Sequence, residues 1–432
     1  MNKFERKDIS SFVNTFYRNN IDKFIPGETP IPVSGKVLGK EEIINMIDAS
    51  CEGWLTTGRF NSDFEELLAK KVGAKIAITV NSGSSANLVA FMTLTSEKLG
   101  EKAIKKGDEV ITVAASFPTT VNPILQFGAV PVFLDIKLPN FNIDVDLIEA
   151  AINKKTKAIM VAHTLGNPFD LKKIKSICEK YNLWLIQDSC DALGALYDNK
   201  PLGFYGDLGT LSFYPAHHIT MGEGGAIFTN NIKLKRIAES FRDWGRDCYC
   251  LPGVDNTCKK RFDWKLGDLP HGYDHKYTYS HMGYNLKITD MQAACGLAQL
   301  EKLEGFVQKR RDNFNFLKKK LSILNEELIF TEETENSSAS WFGFLITLKP
   351  KSKYLRNEIV KHLNQKKIGT RLLFSGNITK QPFMKNNNYR VVGDLKNTDL
   401  VMNNSFWIGV YPGLDFEKLD YVSDSIKNFF YK

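Results

Sequence analysis

The run Ile76-Ala77-Ile78-Thr79-Val80-Asn81-Ser82-Gly83-Ser84-Ser85 decides how this chain folds. A short apolar, β-type run ends in turn residues, and a helical pattern follows over residues 86–95. Working outward, residues 109–115, 130–135, 158–163 and 183–187 are further apolar β-type runs. Amphipathic stretches such as 147–153 and 171–181 lie between them, and 208–213 and 226–229 read as two more strands. Near-continuous apolar strands alternating with helices predict an α/β fold: a mostly parallel sheet, here of seven strands, with helices on both faces. Ligands of such open sheets sit at the carboxyl ends of the strands. Glycine at position 83 lets a ligand approach the backbone, and the helix start offers N–H groups to an anion. Many turns look like this one, so the turn alone decides little about function.

At 432 residues the chain is long enough for one large domain and a smaller one. Its net charge of +8, from 57 basic and 49 acidic residues, is spread along the chain. That pattern reads as a solvated surface and argues against nucleic-acid binding. Residues 1–8 lack the apolar core of a signal peptide, and no run is long and apolar enough to span a bilayer. The expected setting is cytoplasmic, with no membrane partner. Residues 1–35 read as an N-terminal helical segment with a loop ending at Pro26, Pro30 and Pro32. Residues 36–305 form the large domain, within which 247–284 break the rhythm: rich in Cys, His, Tyr, Gly and Asp, without periodicity. An irregular insertion of that length is usually functional. Helical periodicity returns over 290–303 and 306–321. Residues 306–432 read as a small α+β domain, with strands at 342–348 and 370–374, a helix at 354–366 and a last helix from Phe416.

Several residue types in this frame can carry chemistry. Asp188 ends the strand 183–187; a carboxylate there can keep a heterocyclic nitrogen protonated, although a strand-end Asp is more often a cap. Ser212 opens the run Ser212-Phe213-Tyr214-Pro215-Ala216-His217-His218-Ile219-Thr220-Met221-Gly222-Glu223-Gly224-Gly225. Seven cysteines, an odd count, argue against a disulfide framework. Four of them, Cys190, Cys248, Cys250 and Cys258, are spaced Cys-x57-Cys-x-Cys-x7-Cys. Four thiolates can hold a [2Fe–2S] cluster or a structural zinc, and the spacing matches no common ferredoxin pattern. Cys51, Cys178 and Cys295 lie in helical apolar patterns and read as core. His163, His271, His275, His281 and His362 receive no role.

Together these pieces resemble the fold-type-I (aspartate aminotransferase-like) family of sugar aminotransferases and dehydratases that use pyridoxal 5′-phosphate (PLP). The resemblance rests on Leu55-Thr56-Thr57-Gly58, Asn81–Ala86, Gly107-Asp108-Glu109-Val110, Phe133-Leu134-Asp135-Ile136, Asn142-Ile143-Asp144, Asp188 with Ala192-Leu193-Gly194, the run around His217, and Tyr284-Asn285-Leu286 before Asp290-Met291-Gln292. It implies phosphate binding by Gly83, Ser84 and Ser212, stacking of Phe117 on the pyridine ring, and pairing of Asp188 with the ring nitrogen. It also implies a homodimer in which Asn285 reaches the partner's phosphate. His217 stands where the family's Schiff-base lysine stands. Imidazole has no primary amine, so the cofactor would arrive as pyridoxamine 5′-phosphate (PMP), and His217 would move protons at it. Tyr214 and Asp191 depart from the aminotransferase pattern at the same site.

Within that family, His217 and the four cysteines resemble the iron–sulfur 3-dehydrases of 3,6-dideoxyhexose pathways. The segments 242–247, 255–257, 371–377 (which begins at Arg371) and 406–413 carry the same likeness. A cysteine two strand residues from Asp188, roughly 6.6 Å away, would place the metal beside the cofactor, as a one-electron relay needs. The resemblance implies C3 dehydration of a CDP-4-keto-6-deoxyhexose through a PMP–sugar Schiff base, with electrons from a flavin or iron–sulfur reductase. Two alternatives stay open. One is a cluster-free dehydratase of the GDP-4-keto-6-deoxymannose type that recovers PMP from glutamate. The other is a non-catalytic sugar-nucleotide-binding or redox-sensing protein.

Overall fold

The computed structural model describes residues 6–17 and 23–431. Helices α1 (Arg6–Phe16), α2 (Lys40–Glu52) and α3 (Arg59–Val72) precede the first strand. Strands β1 (Ile76–Val80), β2 (Glu109–Val113), β3 (Val130–Leu134), β4 (Thr156–Ala162) and β5 (Trp184–Asp188) then alternate with α4 (Gly83–Leu94), α5 (Pro118–Phe127), α6 (Ile148–Ala151) and α7 (Leu171–Tyr181). A ribbon of β6 (Leu196–Tyr197) and β7 (Lys200–Pro201) leads to β8 (Leu208–Ser212), β9 (Gly225–Thr229) and α8 (Ile232–Arg242). The seven long strands are ordered β1-β9-β8-β5-β4-β2-β3, and only β9 runs against its neighbours. These are the seven long, mostly parallel strands that the alternation predicts.

The two-residue period of a strand sorts side chains onto two faces. In β4, Ala158 and Met160 pack with Val89 and Ala90 of α4 and Leu234 of α8, while Ile159 and Val161 pack with Leu171 and Ile174 of α7. Each such aliphatic side chain contributes about 1.5–3 kcal/mol when fully buried. The amphipathic stretch 147–153 yields only the one-turn helix α6. Asn153 ends it by accepting the N–H of Lys155 (2.7 Å) while Thr156 Oγ1 accepts the N–H of Asn153 (3.0 Å).

The two helical stretches expected at 290–303 and 306–321 are one helix, α9 (Asp290–Leu321), opened by a Thr289/Gln292 capping box. The division expected at 305/306 falls inside it. Gly305 by itself costs a helix only about 1 kcal/mol, and packing at both ends outweighs that. Ala293, Leu300 and Leu303 enter the large-domain core, whereas Phe314, Leu317 and Leu321 enter the small-domain core. The small domain adds β10 (Leu328–Phe330), β11 (Ser337–Ser338), β12 (Gly343–Leu348), α10 (Arg356–Gln365), β13 (Arg390–Val391), α11 (Lys396–Asn404), β14 (Ser405–Gly409) and α12 (Phe416–Phe430). Its sheet is β10-β12-β14, and β13 instead joins the edge of the large sheet beside β3, as an eighth strand that the sequence did not announce. The strand expected at 370–374 is absent. Only Arg371 pairs, with Trp407, and Phe374 turns the chain at φ +45°. Phe24 and Ile31, from the N-terminal segment, pack into the small-domain core.

Gly166 locks the loop after β4 to the small domain. Its φ is +89°, and a Cβ there would lie 1.8 Å from the Ser340 carbonyl oxygen. The Ser340 N–H donates back to the Gly166 carbonyl at 3.0 Å. Gly166→Ala therefore meets both a strained backbone and a rigid neighbour, and is expected to lose about 2–4 kcal/mol of stability. Chemical denaturation of the purified variant measures this.

Candidate active site

Polar side chains gather where the central strands end. Asp188, the last residue of β5, is 5% exposed. Its Oδ2 accepts from Asn87 Nδ2 on α4 (2.8 Å) and Thr120 Oγ1 on α5 (2.6 Å), and its Oδ1 accepts from the Cys190 N–H (3.2 Å). Asn87 is fixed in turn by the Thr210 hydroxyl on β8, which donates to its Oδ1 at 2.7 Å. A carboxylate tolerates such burial when donors replace water.

In front of Asp188 lies a cavity of about 450 Å³, within the usual range for small-molecule sites. Gly83, Ser84 and Ser212 form one side of it, Phe117 and Phe374 another, and Tyr214, His217, Cys190, Asp191 and Arg371 also line it. Ser82 caps α4 by accepting the Ser85 N–H (3.0 Å), so the helix begins at Gly83 with its first N–H groups free for an anion. A Cβ on Gly83 would lie 2.5 Å from the Ser212 Cβ and 2.9 Å from its Oγ. Only glycine lets β8 and the start of α4 close into one cradle.

His217 Nδ1 lies 3.4 Å from Asp191 Oδ1, and its ring is 5.0 Å from that of Phe342. Burial pushes the Asp191 carboxyl up; His217 opposes that shift, and Asp188 adds to it as a like charge. Phe117 meets Phe374 edge-on at 6.3 Å. Arg371 is exposed, with its main chain tied to Trp407. Asn285 does not line this cavity. Its main chain pairs with Asp243, and neighbouring Leu286 accepts from the Asn81 N–H at 2.8 Å.

The four cysteines are not brought together. Cys190 faces the cavity beside Asp188, and its thiol is held well above the usual range by burial and by that carboxylate. Cys248, Cys250 and Cys258 share a separate small cavity with Asp255, His275 and Lys276. There Cys250 is brought down, against burial, by Thr257 and Cys248 as hydrogen-bond partners and by Lys276. Among the described residues, no three His, Cys, Asp or Glu side chains are arranged to hold a metal ion. The expected [2Fe–2S] ligand set is thus divided here: Cys190 lines one cavity, and Cys248, Cys250 and Cys258 line another. A phosphate-bearing pyridine cofactor does fit the residues present: the Gly83–Ser212 cradle suits its phosphate and the buried Asp188 its ring nitrogen.

Sequence reasoning missed part of the site. His163 received no role, yet it lines the cavity. It is fully buried and stacked on Phe169 at 4.1 Å; its Nδ1 accepts the Phe169 N–H (3.2 Å), leaving Nε2–H for Gln187 Oε1 (3.2 Å). Asn87 and Thr120 were missed as well. The one available signal was that Asn87 lies four residues after Gly83 and so shares its helix face. Phe342 and Trp407 enter the wall only through tertiary packing.

The sequence profile of the DegT/DnrJ/EryC1/StrS aminotransferase family matches residues 37–427. The chain belongs to this family. Among its members, the lipopolysaccharide biosynthesis protein RfbH of Salmonella typhimurium is 60% identical over 98% of both chains. The dTDP-4-dehydro-2,6-dideoxy-D-glucose 3-dehydratase of Saccharopolyspora spinosa is 50% identical over 94% of this chain and 88% of its own. Of solved structures in the family, GDP-4-keto-6-deoxymannose-3-dehydratase (ColD), as a histidine variant with bound GDP-perosamine, superposes with a TM-score of 0.83. It is 29% identical over 92% of this chain and all of its own. Family membership agrees with the fold-type-I expectation. No described helix is long and apolar enough to cross a membrane.

Burial holds His163 down at about 3, against an ordinary value of 6.5. Between these values the unfolded chain binds one proton more, so this contribution to stability is complete above 6.5 and is lost as pH falls toward 3. The slope is at most about 1.4 kcal/mol per pH unit. His163→Leu is expected to flatten the pH dependence of urea denaturation by up to one proton.

Proposed function

We propose that this chain removes the C3 hydroxyl of a nucleotide 4-keto-6-deoxyhexose with PMP as its cofactor. The observation that carries this is His217, its Nδ1 3.4 Å from Asp191 Oδ1 and its side chain lining the cavity of Asp188, where the resembling aminotransferases hold a lysine. When bound, PMP supplies an amine for the C4 ketone and a ring able to take up charge from its C4′ carbon. Gly83, Ser84 and Ser212 hold the phosphate, Phe117 covers one ring face, and Asp188 faces the pyridine nitrogen. His217 turns Nδ1 to Asp191, which leaves Nε2 to take a proton at C4′ and to protonate the departing C3 oxygen. Tyr214 and Arg371, on the open side, meet the sugar and the nucleotide's phosphates. Asn285 reaches the phosphate site of a second copy in a homodimer. CDP is the proposed carrier only as the overall resemblance to the 3-dehydrases of 3,6-dideoxyhexose pathways implies, and not on any single motif. Because the four thiols are not assembled, no electron-transfer step is routed through them.

Anaerobic incubation with PMP and a panel of CDP-, dTDP- and GDP-4-keto-6-deoxyhexoses, followed by mass spectrometry, tests this. Loss of the C3 oxygen from the CDP sugar is the expected result, and tight binding of every sugar without such loss would overturn it. Turnover restored by glutamate marks a transamination route back to PMP; turnover restored only by a reductase marks an electron route. For His217→Lys, covalent retention of PLP and a yellow absorption are expected, with dehydration reduced about 10²–10⁴-fold. Full activity in that variant removes His217 as the base.

A further inference from the structure

The largest fully buried side chain among the described residues is a charged one, Arg310 of α9, at 1% exposure. No described carboxylate comes within ion-pair distance of it. Its Nη1 donates to the carbonyls of Trp341 (3.2 Å) and Phe342 (3.3 Å), and its Nη2 to the carbonyl of His217 (3.1 Å). Its Nε has no hydrogen-bond partner. Burial lowers it to about 10, so it stays protonated at neutral pH; the one carboxylate whose charge acts on it is Asp191. A buried, unpaired cation is costly, and a methionine would fill similar space without that cost. What the guanidinium does, and an apolar side chain does not, is bind three carbonyls from two parts of the fold at once.

Those carbonyls belong to the two sides of the site. His217 lies in the loop between β8 and β9 of the large domain. Trp341 and Phe342 lead into β12 of the small domain, and the Phe342 ring stands 5.0 Å from the His217 imidazole and 6.0 Å from the guanidinium. Other cationic and titratable groups nearby are committed elsewhere. The His218 ring donates to the Ser340 carbonyl (2.9 Å), and Arg311 donates to the carbonyl of Ala339 (2.8 Å).

We propose that Arg310 is a positioning residue: it holds the backbone of His217 against the wall that carries Phe342, and so sets where the imidazole meets the reacting carbon. The proposal rests on His217 as the proton-moving group. It is tested with Arg310→Met and Arg310→Lys in PMP-loaded protein. In Arg310→Met, kcat is expected to fall about 10–100-fold, with KM and the PMP dissociation constant within about twofold of the parent. Arg310→Lys keeps the charge but reaches fewer carbonyls, and is expected to recover part of that loss. Histidine side-chain NMR, with His217 assigned through His217→Asn, should show the His217 signals moved and those of His163 in place. The proposal is overturned if kcat and the His217 signals match the parent while only thermal stability drops, or if PMP binding and kcat are lost together. If Arg310→Met does not fold, Arg310→Lys carries the same readouts. If the parent dehydrates no sugar, the function proposed above fails, yet the NMR comparison still reads whether Arg310 sets His217.

Discussion

The site depends on one buried carboxylate being held in a fixed direction. Asp188 sits at the end of β5, between β4 and β8, and draws donors from α4, from α5 and from its own turn. Each donor comes from a different element, so the sheet and its covering helices must be in register before the carboxylate is satisfied. That same register brings β8 against the start of α4, closing the Gly83–Ser212 cradle. The Gly83–Ser212 cradle and the buried carboxylate are therefore two outcomes of one packing arrangement.

Around that frame, the proposed chemistry turns on His217. A lysine would tie the cofactor to the protein. In the proposed reading, an imidazole at that position has no primary amine to give and so leaves the cofactor's own amine free. Asp191 and His217 lie 3.4 Å apart in the cavity lining, and both stand on backbone that the surrounding fold holds: Asp191 just past β5, His217 through a carbonyl bound by α9. The single helix α9 thus links the cores of both domains and touches the loop that carries His217.

The thiols show where pattern and geometry part. Cys190 is close to Asp188 because two residues of chain leave no other choice. Cys248, Cys250 and Cys258 come together because the irregular stretch of eleven residues that they bound folds on itself, next to the stretch closed by the Arg261–Asp274 pair. Nothing local to either group obliges the two sets to meet. The Cys190 thiol, pressed by burial and a neighbouring carboxylate, is in a poor setting to become a thiolate, whereas Cys250 is in a better one.

The sequence alone determined the alternating strands and helices, the seven long strands of the large sheet, the glycine turn after β1, Asp188, and the histidine at position 217. All of these follow from local rules: two- and 3.6-residue periods, turn chemistry, and side-chain functionality. Tertiary structure alone decided the rest. Asn87 and Thr120 became partners of Asp188, His163 joined the cavity, Phe342 and Trp407 came from the small domain, and α9 ran unbroken past Gly305. It also left Arg310 buried among carbonyls, and it replaced an expected strand at 370–374 with a loop that lines the site. The physical reason is the same in each case. These features depend on contacts between residues far apart in the chain, and the free energy of burial and hydrogen bonding that selects them appears only once both sides are in place.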